Sequence, residues 1–373
     1  MLFACPEPDG RETEVIGQIT EIRSSTARVL APTRRWLRPL RRTAFARNIQ
    51  ASNSIEGHHV SLDDALAAAA DGVPDEASRD DFLAVKNYGD AMTYVIALAE
   101  DEHFEYSVDV IRSLHFMMMK HDLGSRPGRW RSGPVYVWST TTNETVYDGP
   151  DFQEVPALVE ELVEWLNHDA SGFDPLIRGA MAHLDLVMVH PFKDGNGRMS
   201  RALQSLVLAR DHIVAPEFAS IEEYLGRNTP AYYDVLARVG QGSWRPDGDA
   251  RPWVRFVLTA HLHQAETVRR RLLEAERTWA ALSERVDELH LDQRLTTSVY
   301  LAATGRKVRR SDHIELTDVS ERVASGDLKR LVDIGLLEAV GEKRGRYYVA
   351  SPEVREIRMM CREARTVIPD PFG

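Results

Sequence analysis

The sequence predicts a mostly α-helical protein with one small β-hairpin and a separate C-terminal module. Apolar residues recur at spacings of three and four along residues 156–166, 176–189 and 199–208, which is the pattern of amphipathic helices. Residues 135–138 and 145–147 are rich in β-formers and enclose a polar turn, which indicates a hairpin. The third observation is a change in composition after Arg285.

The helical prediction extends to both sides of this central region. Residues 43–55 read as a helix, and Ser107 begins another that continues with apolar residues on one face. Residues 254–282 look like one or two more helices. A chain of 373 residues is expected to form two or three domains.

The C-terminal module has the pattern of a winged helix. Between residues 291 and 350, 11 Lys and Arg outnumber 9 Asp and Glu, although the whole chain carries a net charge of −11. A helix over 325–334 precedes two short β-rich segments joined by a basic turn. We therefore expect three parts: an N-terminal helical region (1–100), a central core (101–279) and a winged-helix-like domain (280–373).

Composition excludes several classes of protein. The acidic net charge argues against a protein that coats nucleic acid or anionic membranes by bulk electrostatics. Two cysteines, Cys5 and Cys361, provide neither a disulfide framework nor a CxxC metal site, which fits a reducing compartment. We expect neither a signal peptide nor a membrane span, and so a cytoplasmic protein.

The segment HPFKDGNGRMSR, residues 190–201, concentrates the groups that handle a polyphosphate. Pro191 biases His190 towards extended backbone, so the preceding helix should stop there. Gly195 and Gly197 flank Asn196 and let the backbone turn and approach a ligand closely. The next helix begins near Arg198, and its unpaired amides and dipole favour an anion.

The side chains of this segment add charge and proton chemistry. Arg198 and Arg201 stand at the helix end where cations are disfavoured, unless an anion lies between them. Asp194 is a hard ligand of the kind that Mg²⁺ prefers, and His190 can accept a proton near neutral pH. Taken singly, such residues are usually structural, but their coincidence within twelve residues favours function. The segment is neither a P-loop nor a Rossmann fingerprint.

The same segment resembles the signature of the Fic family, HxFx[D/E]GNGRxxR, at every fixed position. The resemblance covers most of residues 40–275. It implies transfer of AMP from ATP to a Ser, Thr or Tyr hydroxyl of a protein, with pyrophosphate leaving. The implied roles are general base for His190, loop anchor for Phe192, Mg²⁺ ligand for Asp194, α- and β-phosphate binding for Gly195, Asn196 and Gly197, and outer-phosphate binding for Arg198 and Arg201, with Arg201 on the γ-phosphate.

Ser52 and Glu56 lie one helical turn apart and precede Gly57, a natural helix stop. Alone, they are most simply read as part of a capped surface helix with a solvated glutamate. Beside the Fic-like segment, SNSIEG resembles the family's inhibitory motif [S/T]xxxE[G/N]. The resemblance implies that Glu56 pairs with Arg201 and withdraws it from ATP, with Ser52 supporting the glutamate. In some family members the same glutamate is thought to help remove AMP, and the sequence leaves that open.

Two further segments resemble functional parts of Fic proteins. The 135–147 hairpin is similar to the family's target-docking flap, with Val146 and Tyr147 as the expected contacts; the alternative is an ordinary surface hairpin. Residues 227–233 resemble the segment whose tyrosines, here Tyr232 and Tyr233, line the adenine pocket, although such tyrosine pairs are more often core. The turn at 139–144 matches no family pattern, so the target is not readable.

Three functional hypotheses follow. The first is an autoinhibited AMP transferase that uses ATP and Mg²⁺ on a protein target and is also capable of modifying itself. The second is a DNA-binding regulator with a nucleotide-sensing core, whose basic residues would meet phosphate; these are Lys329, Arg330, Lys343, Arg344 and Arg346. The third keeps the enzyme but changes the cargo to UMP or phosphate. A homo-oligomer is expected, of a size that the sequence does not reveal.

Overall fold

The computed structural model describes residues 1–30, 34–70, 72–139, 144–210, 215–342, 345–365 and 367–373, and these are mainly helical. The helices are α1 (Gly10–Val29), α2 (Leu37–Ile55), α3 (Leu62–Ala68), α4 (Arg79–Glu100), α5 (Val108–Met119), α6 (Val155–Asn167), α7 (Pro175–Val189), α8 (Asn196–Ala209), α9 (Pro216–Ala219), α10 (Glu222–Arg227), α11 (Thr229–Gly240), α12 (Arg251–Glu288), α13 (Thr296–Ala303), α14 (Arg310–Thr317), α15 (Glu321–Asp333) and α16 (Pro352–Met360). The strands are β1 (Tyr136–Ser139), β2 (Glu144–Asp148), β3 (Leu337–Val340) and β4 (Tyr347–Ala350).

The chain forms two compact units. The first comprises Met1–Ala27, Thr43–Glu266 and Ile368–Gly373, and the second comprises Arg28–Arg42 and Thr267–Val367. The predicted boundary near residue 280 falls inside α12, because helical periodicity continues through that point. The beginning of α2 belongs to the second unit, whereas the sequence analysis placed it in the N-terminal helical region.

The centre of the first unit is the antiparallel pair α7 and α8. Asp174 caps α7 by accepting a hydrogen bond from the Leu176 amide, and Pro175 occupies the first turn. Both helices are buried on nearly every side. Because protein surrounds both helices, the loop between α7 and α8 is held from both ends.

The predicted hairpin is present as β1 and β2, with Val137 opposite Tyr147. Tyr147 is buried, and its hydroxyl donates a hydrogen bond to the Met188 carbonyl at 2.8 Å. The Tyr147 side chain thus anchors the hairpin to α7 and is not exposed to a target, and the docking role expected of Val146 and Tyr147 stays a prediction. The side chain of Val146 and turn residues 140–143 lie outside the described residues.

The second unit contains the helices and the hairpin that the winged-helix interpretation requires. Helix α15 is capped by Ser320 and buries Ala324, Leu328 and Leu331 along one face. Strands β3 and β4 pair antiparallel, with Leu337 opposite Ala350. The winged-helix assignment stays a prediction, and Lys343 and Arg344 of its basic turn lie outside the described residues.

Among the described residues, the helices are either too short or too polar to span a membrane.

Candidate active site

The loop between α7 and α8 begins at His190. The His190 backbone is left-handed, with φ 51° and ψ 57°, and its amide donates to the Leu186 carbonyl at 3.1 Å, which closes α7. The helix thus ends where the sequence predicted, but the extended backbone expected at His190 is wrong. Pro191 disfavours the right-handed helical region for its predecessor, and the left-handed backbone of a helix-capping turn avoids that region as a strand does.

The His190 ring has a defined proton position. Its Nδ1 lies 3.1 Å from the Val187 carbonyl oxygen, and because a carbonyl only accepts, Nδ1 carries the hydrogen. Burial lowers the pKa of His190, so the ring is neutral at pH 7. Its Nε2 is therefore free of a proton and able to take one from a hydroxyl.

Asn196 fixes the shape of the loop. Its side-chain oxygen accepts from the Phe192 amide and its nitrogen donates to the Phe192 carbonyl, both at 2.9 Å. Gly195 has φ 78°, and a Cβ on it would lie 2.9 Å from Sδ of Met119. The Asn196 side chain is thus committed to the loop, and the phosphate contact expected of it is left to its backbone. In the described structure no side chain caps the first turn of α8.

Arg198 is a buried cation whose guanidinium is only partly hydrogen-bonded among the described residues. Only 2% of it is exposed, and one terminal nitrogen contacts Sδ of Met119 at 3.1 Å. Its Nε and its other terminal nitrogen have no hydrogen-bond partner among the described residues. Leaving such groups unpaired in the interior is costly, so the arrangement fits an anionic ligand at the start of α8.

Arg201, by contrast, is held by helix α2. Its Nε donates to Oγ of Ser52 at 2.7 Å, and one terminal nitrogen donates both to the Ser52 carbonyl at 3.0 Å and to Oε1 of Glu56 at 2.7 Å. The contact that the resemblance implied is present; its inhibitory role stays a prediction. Gly197 permits the approach, since a Cβ there would lie 2.5 Å from the Glu56 oxygen.

The Glu56–Arg201 pair is ionised. Burial alone would raise the pKa of Glu56, but the positive charges of Arg201 and Arg198 outweigh it and lower that pKa. Burial would likewise lower the pKa of Arg201, and the Glu56 carboxylate raises it instead. A charge-assisted pair of this geometry competes directly with an arginine–phosphate contact.

Asp194 projects from the same loop into solvent. Its Oδ1 accepts from the Gly195 amide at 2.6 Å, and its carbonyl accepts from Nε2 of His115 at 2.9 Å. No cluster of three or more His, Cys, Asp or Glu suited to a metal occurs among the residues described. One exposed carboxylate beside an anion pocket fits Mg²⁺, which completes its shell with phosphate oxygens and water.

Sequence reasoning missed three residues that hold this loop, namely His115, Trp130 and Arg131. The His115 ring stacks on Phe192 with centroids 3.6 Å apart, and its Nδ1 accepts from the Gly128 amide at 2.9 Å. Burial lowers the pKa of His115 to about 4, so it stays neutral. The Trp130 ring also packs against the Phe192 ring, with centroids 5.0 Å apart. Together these rings explain why Phe192 anchors the loop.

Arg131 is the third missed residue. Its side chain donates to the carbonyls of His190 at 3.0 Å, Gly133 at 2.9 Å and Pro150. Its amide donates to the Pro191 carbonyl at 2.9 Å. Arg131 therefore ties the base-bearing turn to the hairpin's flanks, and no spacing in the sequence signals it.

The tyrosine pair behaves differently from the prediction. Tyr232 is 1% exposed, its hydroxyl bonds to Nε2 of His183 at 3.0 Å and its ring packs against Trp253, so it belongs to the core. The expectation that Tyr232 lines an adenine pocket is wrong for this reason. Tyr233 is 46% exposed and its hydroxyl lies 3.4 Å from the Ile55 carbonyl, which leaves Tyr233 as the candidate.

Comparison with known proteins shows which family this part of the chain resembles. Residues 105–208 match the Fic/DOC family, a range that includes the whole α7–α8 loop. The protein adenylyltransferase fic-1 of Caenorhabditis elegans is 31% identical over 207 residues, which cover 55% of this chain and 37% of that protein. The protein adenylyltransferase Fic of Aedes aegypti is 29% identical over 218 residues, covering 58% and 40%. The matches therefore span well under half the length of these curated relatives.

Solved structures share the fold. A Fic family protein from Desulfovibrio desulfuricans superposes with a TM-score of 0.59 at 21% identity and covers 93% of this chain and 98% of its own. A Fic domain containing signaling protein from Bacteroides thetaiotaomicron gives 0.56 at 23% identity, over 68% of this chain and 96% of its own. With the motif, the loop and the fold in agreement, residues 105–208 form a domain of the Fic/DOC family.

Proposed function

We propose that this protein is an adenylyltransferase that moves AMP from ATP onto a hydroxyl of a protein, restrained by its own Glu56. The observation that carries the proposal is the buried Arg198, whose Nε and one terminal nitrogen lack hydrogen-bond partners among the described residues, in a site that also holds a neutral His190. A polyphosphate satisfies the arginine, and a hydroxyl approaching Nε2 of His190 supplies the proton that the base requires.

The reaction follows from these positions. His190 Nε2 removes the proton as the target oxygen bonds to the α-phosphorus of ATP, and the bond from that phosphorus to the bridging oxygen breaks to release pyrophosphate. The amides at the start of α8 and Arg198 stabilise the charge on the phosphates. Asp194 would hold Mg²⁺, which neutralises phosphate charge when bound.

Glu56 restrains the reaction by occupying Arg201. The guanidinium that would bind the γ-phosphate already donates to Glu56 at 2.7 Å. ATP then lacks one outer-phosphate contact and binds in an unproductive pose. Release of Glu56, by substitution or by a competing ligand, is expected to raise transfer.

The β1–β2 hairpin is the proposed docking element for the target. Tyr147 ties its base to Met188 near the end of α7, so an extended target segment added to the hairpin's edge would lie near His190. A segment of a second copy of this chain would fit the same description, which is how self-modification and a homo-oligomer enter the proposal. The names of the curated relatives support a protein target. A cytoplasmic location is part of the proposal.

A second candidate function is duplex DNA binding by the C-terminal unit. The side chains of Lys329, Arg330 and Arg346 are exposed on α15 and near β4, as phosphate contacts require. Salt-sensitive binding of a DNA duplex, with no covalent adduct after incubation with ATP, would favour this function over transfer.

Intact-mass spectrometry tests the first function directly. Wild type, Glu56→Gly and Glu56→Gly/His190→Ala are each incubated with ATP and Mg²⁺, alone and in a cell lysate with labelled ATP. We expect an AMP-sized adduct on Glu56→Gly or on a lysate protein, scarce with wild type and missing with the double variant.

The double variant is the matched control, because it lacks the base but keeps the released site. Labelling by Glu56→Gly that survives the loss of His190 would contradict the assigned base. Silence of all three proteins, with and without lysate, would reject the transferase.

A further inference from the structure

A wide cleft in the second unit is rich in arginine. It has a volume of about 780 Å³, which is within the range of cavities that hold small molecules. Its described lining residues all belong to the second unit. They are two threonines, three apolar residues, one aspartate and six arginines, and these arginines, which define the arginine cleft, are Arg34, Arg35, Arg38, Arg41, Arg42 and Arg294.

The local sequence concentrates positive charge at this cleft. The segment RRWLRPLRR, residues 34–42, has five arginines in nine positions and no acidic residue, in a chain whose net charge is −11. The segment runs into α2, whose first turn also lacks an acid. Arginines four positions apart on a helix, such as Arg38 and Arg42, lie on one face and repel each other. An anion in the cleft would relieve that repulsion.

The described carboxylates neutralise this segment only in part. Arg38 and Arg42 donate to the same oxygen, Oε1 of Glu315, at 3.3 and 2.7 Å. Two guanidinium groups on one carboxylate leave that set with a net positive charge. Arg35 is exposed and forms no ion pair with a described residue. Arg35 and the pair on Glu315 therefore present two uncompensated positive charges to the cleft.

Arg34 and Arg294 form walls of the cleft and are already paired. Arg294 donates to the two oxygens of Asp327 at 2.8 and 2.9 Å. Arg34 forms an ion pair with Glu276. The guanidinium groups that a ligand can engage without breaking such a pair are thus those of Arg35 and Arg38, with Arg42 beside them.

Phosphate is the anion that this set of side chains fits best. A guanidinium binds a phosphate through two parallel hydrogen bonds, and Arg serves this role wherever planar recognition of phosphate is needed. Two uncompensated charges in one cavity favour an anion with several phosphate groups over a single one. The hydroxyl of Thr297, which also lines the cleft, adds a neutral donor.

The concave shape distinguishes this ligand from a DNA duplex. A duplex accepts a helix or a two-stranded ribbon into its major groove, so its partner surface protrudes. The residues considered above for DNA contact, Lys329, Arg330 and Arg346, do not line the cleft. A compact molecule fills a cavity of about 780 Å³ in a way that a duplex does not.

We propose that the arginine cleft is a binding site for a compact anion with several phosphate groups, held by Arg35, Arg38 and Arg42. Inorganic oligophosphate and the phosphate chain of a nucleoside polyphosphate share this chemistry. The site is separate from the candidate active site, since His190, Arg198 and Arg201 belong to the first unit. Its occupation therefore does not depend on the proposed transfer of AMP.

Equilibrium dialysis against inorganic tripolyphosphate tests the site. The parent protein is full-length Arg198→Met, in which the α7–α8 loop has lost its own unsatisfied guanidinium. We expect this protein to bind one tripolyphosphate, and the Kd to rise about tenfold when Arg35→Gln or Arg38→Gln is added, because each removes a charge-assisted contact. Absence of binding to the parent, or a Kd that neither substitution changes, would overturn the proposal.

Both substitutions are chosen to leave the fold intact. Arg35 is exposed and makes no ion pair with a described residue, and Arg38→Gln leaves Glu315 paired with Arg42. Arg322→Gln is the matched control, because it removes an exposed arginine of the same unit that does not line the cleft. Its Kd should equal that of the parent. A rise as large as that of Arg35→Gln would reduce the effect to net charge and overturn the site.

Two further ligands identify the source of the phosphates. ATP that binds the parent as tightly as tripolyphosphate would show that the cleft reads the phosphate chain alone, and tighter binding of ATP would add a contact to the nucleoside; both support the proposal. A DNA duplex that binds through Arg35 and Arg38 while tripolyphosphate does not would overturn it.

Wild type separates this site from the proposed function. It should bind a second tripolyphosphate at Arg198, which Arg198→Met cannot. If wild type binds only as much as Arg198→Met, the phosphate role of Arg198 fails and the result for the cleft is unaffected.

Discussion

At the scale of single residues, Arg198 shows how a functional group is recognised by what it lacks. Most buried arginines find a carboxylate or a carbonyl, as Arg131 and Arg201 do here. Arg198 has a thioether contact and two unpartnered nitrogen positions within the described structure. A group kept at such a cost is expected to be compensated by a ligand.

Replacement of Arg198 should therefore stabilise the protein without ligand and weaken its binding of ATP. We expect Arg198→Met to raise the free energy of unfolding without ligand by about 1–3 kcal/mol, because it removes an unsatisfied buried cation. The stabilisation that ATP with Mg²⁺ gives the wild type should disappear in this variant. Chemical denaturation with and without nucleotide measures both quantities.

Arg129→Met is a suitable comparison for that experiment, since the Arg129 side chain is exposed. It should shift either free energy by no more than about 0.5 kcal/mol. An Arg198→Met protein that is less stable than wild type and still stabilised by ATP would show that the guanidinium serves packing and not nucleotide.

The functional residues that could be predicted from the sequence differ from those that could not in their separation along the chain from their partners. His190, Asp194, Arg198 and Arg201 fall within twelve consecutive positions, so their joint chemistry is readable. His115 lies 79 positions from its partner Asp194, and Arg131 lies 59 positions from His190. Neither residue has a local signature, because only the packing of α5 and the 126–135 segment against the loop gives it a role.

At the scale of elements, helical periodicity located the core well. The predicted segments 156–166, 176–189 and 199–208 correspond to α6, α7 and α8, whose ends lie within three residues of the predicted ones. Periodicity could not decide which side of α11 is buried. Tyr232 and Tyr233 are adjacent, yet one is in the core and the other is half exposed, a difference set by Trp253 and His183.

The turn that carries His190 depends on a neighbouring element through Arg131. In the Glu56→Gly background, we expect Arg131→Lys to lower kcat for transfer about tenfold to a hundredfold, because an ammonium cannot reach three carbonyls and the base shifts. The affinity for ATP should change much less, since the phosphate-binding groups lie on α8. Single-turnover kinetics and nucleotide titration separate the two effects.

Arg129→Lys serves as the control for this substitution, because it makes the same chemical change on an exposed side chain nearby. Its kcat should equal that of the parent. An Arg131→Lys protein that loses ATP affinity and keeps kcat would place Arg131 in nucleotide binding and not in positioning the base.

At the scale of the whole molecule, buried titratable groups set how stability depends on pH. Burial lowers the pKa of His183 to about 3 and of His115 to about 4. In the unfolded chain the same histidines take up a proton below pH 6.5, their ordinary pKa, whereas in the folded state they stay neutral. Stability from these groups is present above pH 6.5 and is lost as the pH falls towards their folded values. Acidification should therefore destabilise the protein well before its carboxylates are protonated.

Asp185 acts in the opposite direction. It is buried, accepts a hydrogen bond from the Phe3 amide, and burial raises its pKa from 3.8 to about 8. The folded state keeps this proton where the unfolded chain has lost it, so the stability it contributes is full below pH 3.8 and is lost as the pH rises to about 8. The histidines and Asp185 together predict a maximum of stability between pH 6 and 7.

Asp185→Asn tests that balance, because asparagine mimics the protonated acid and still accepts from the Phe3 amide. We expect the thermal midpoint of the variant to match that of wild type near pH 4 and to exceed it near pH 8. At pH 8 the folded wild type must either bury an ionised Asp185 or keep a proton on it, and both are unfavourable. Thermal denaturation at intervals from pH 4 to pH 9 measures both limbs. Since each unit of pKa difference is worth about 1.4 kcal/mol, the alkaline gain should be readily measurable. Parallel profiles for the two proteins would mean that Asp185 is ionised in the folded state at neutral pH, and that the core of the first unit accommodates a carboxylate beside the Phe3 amide.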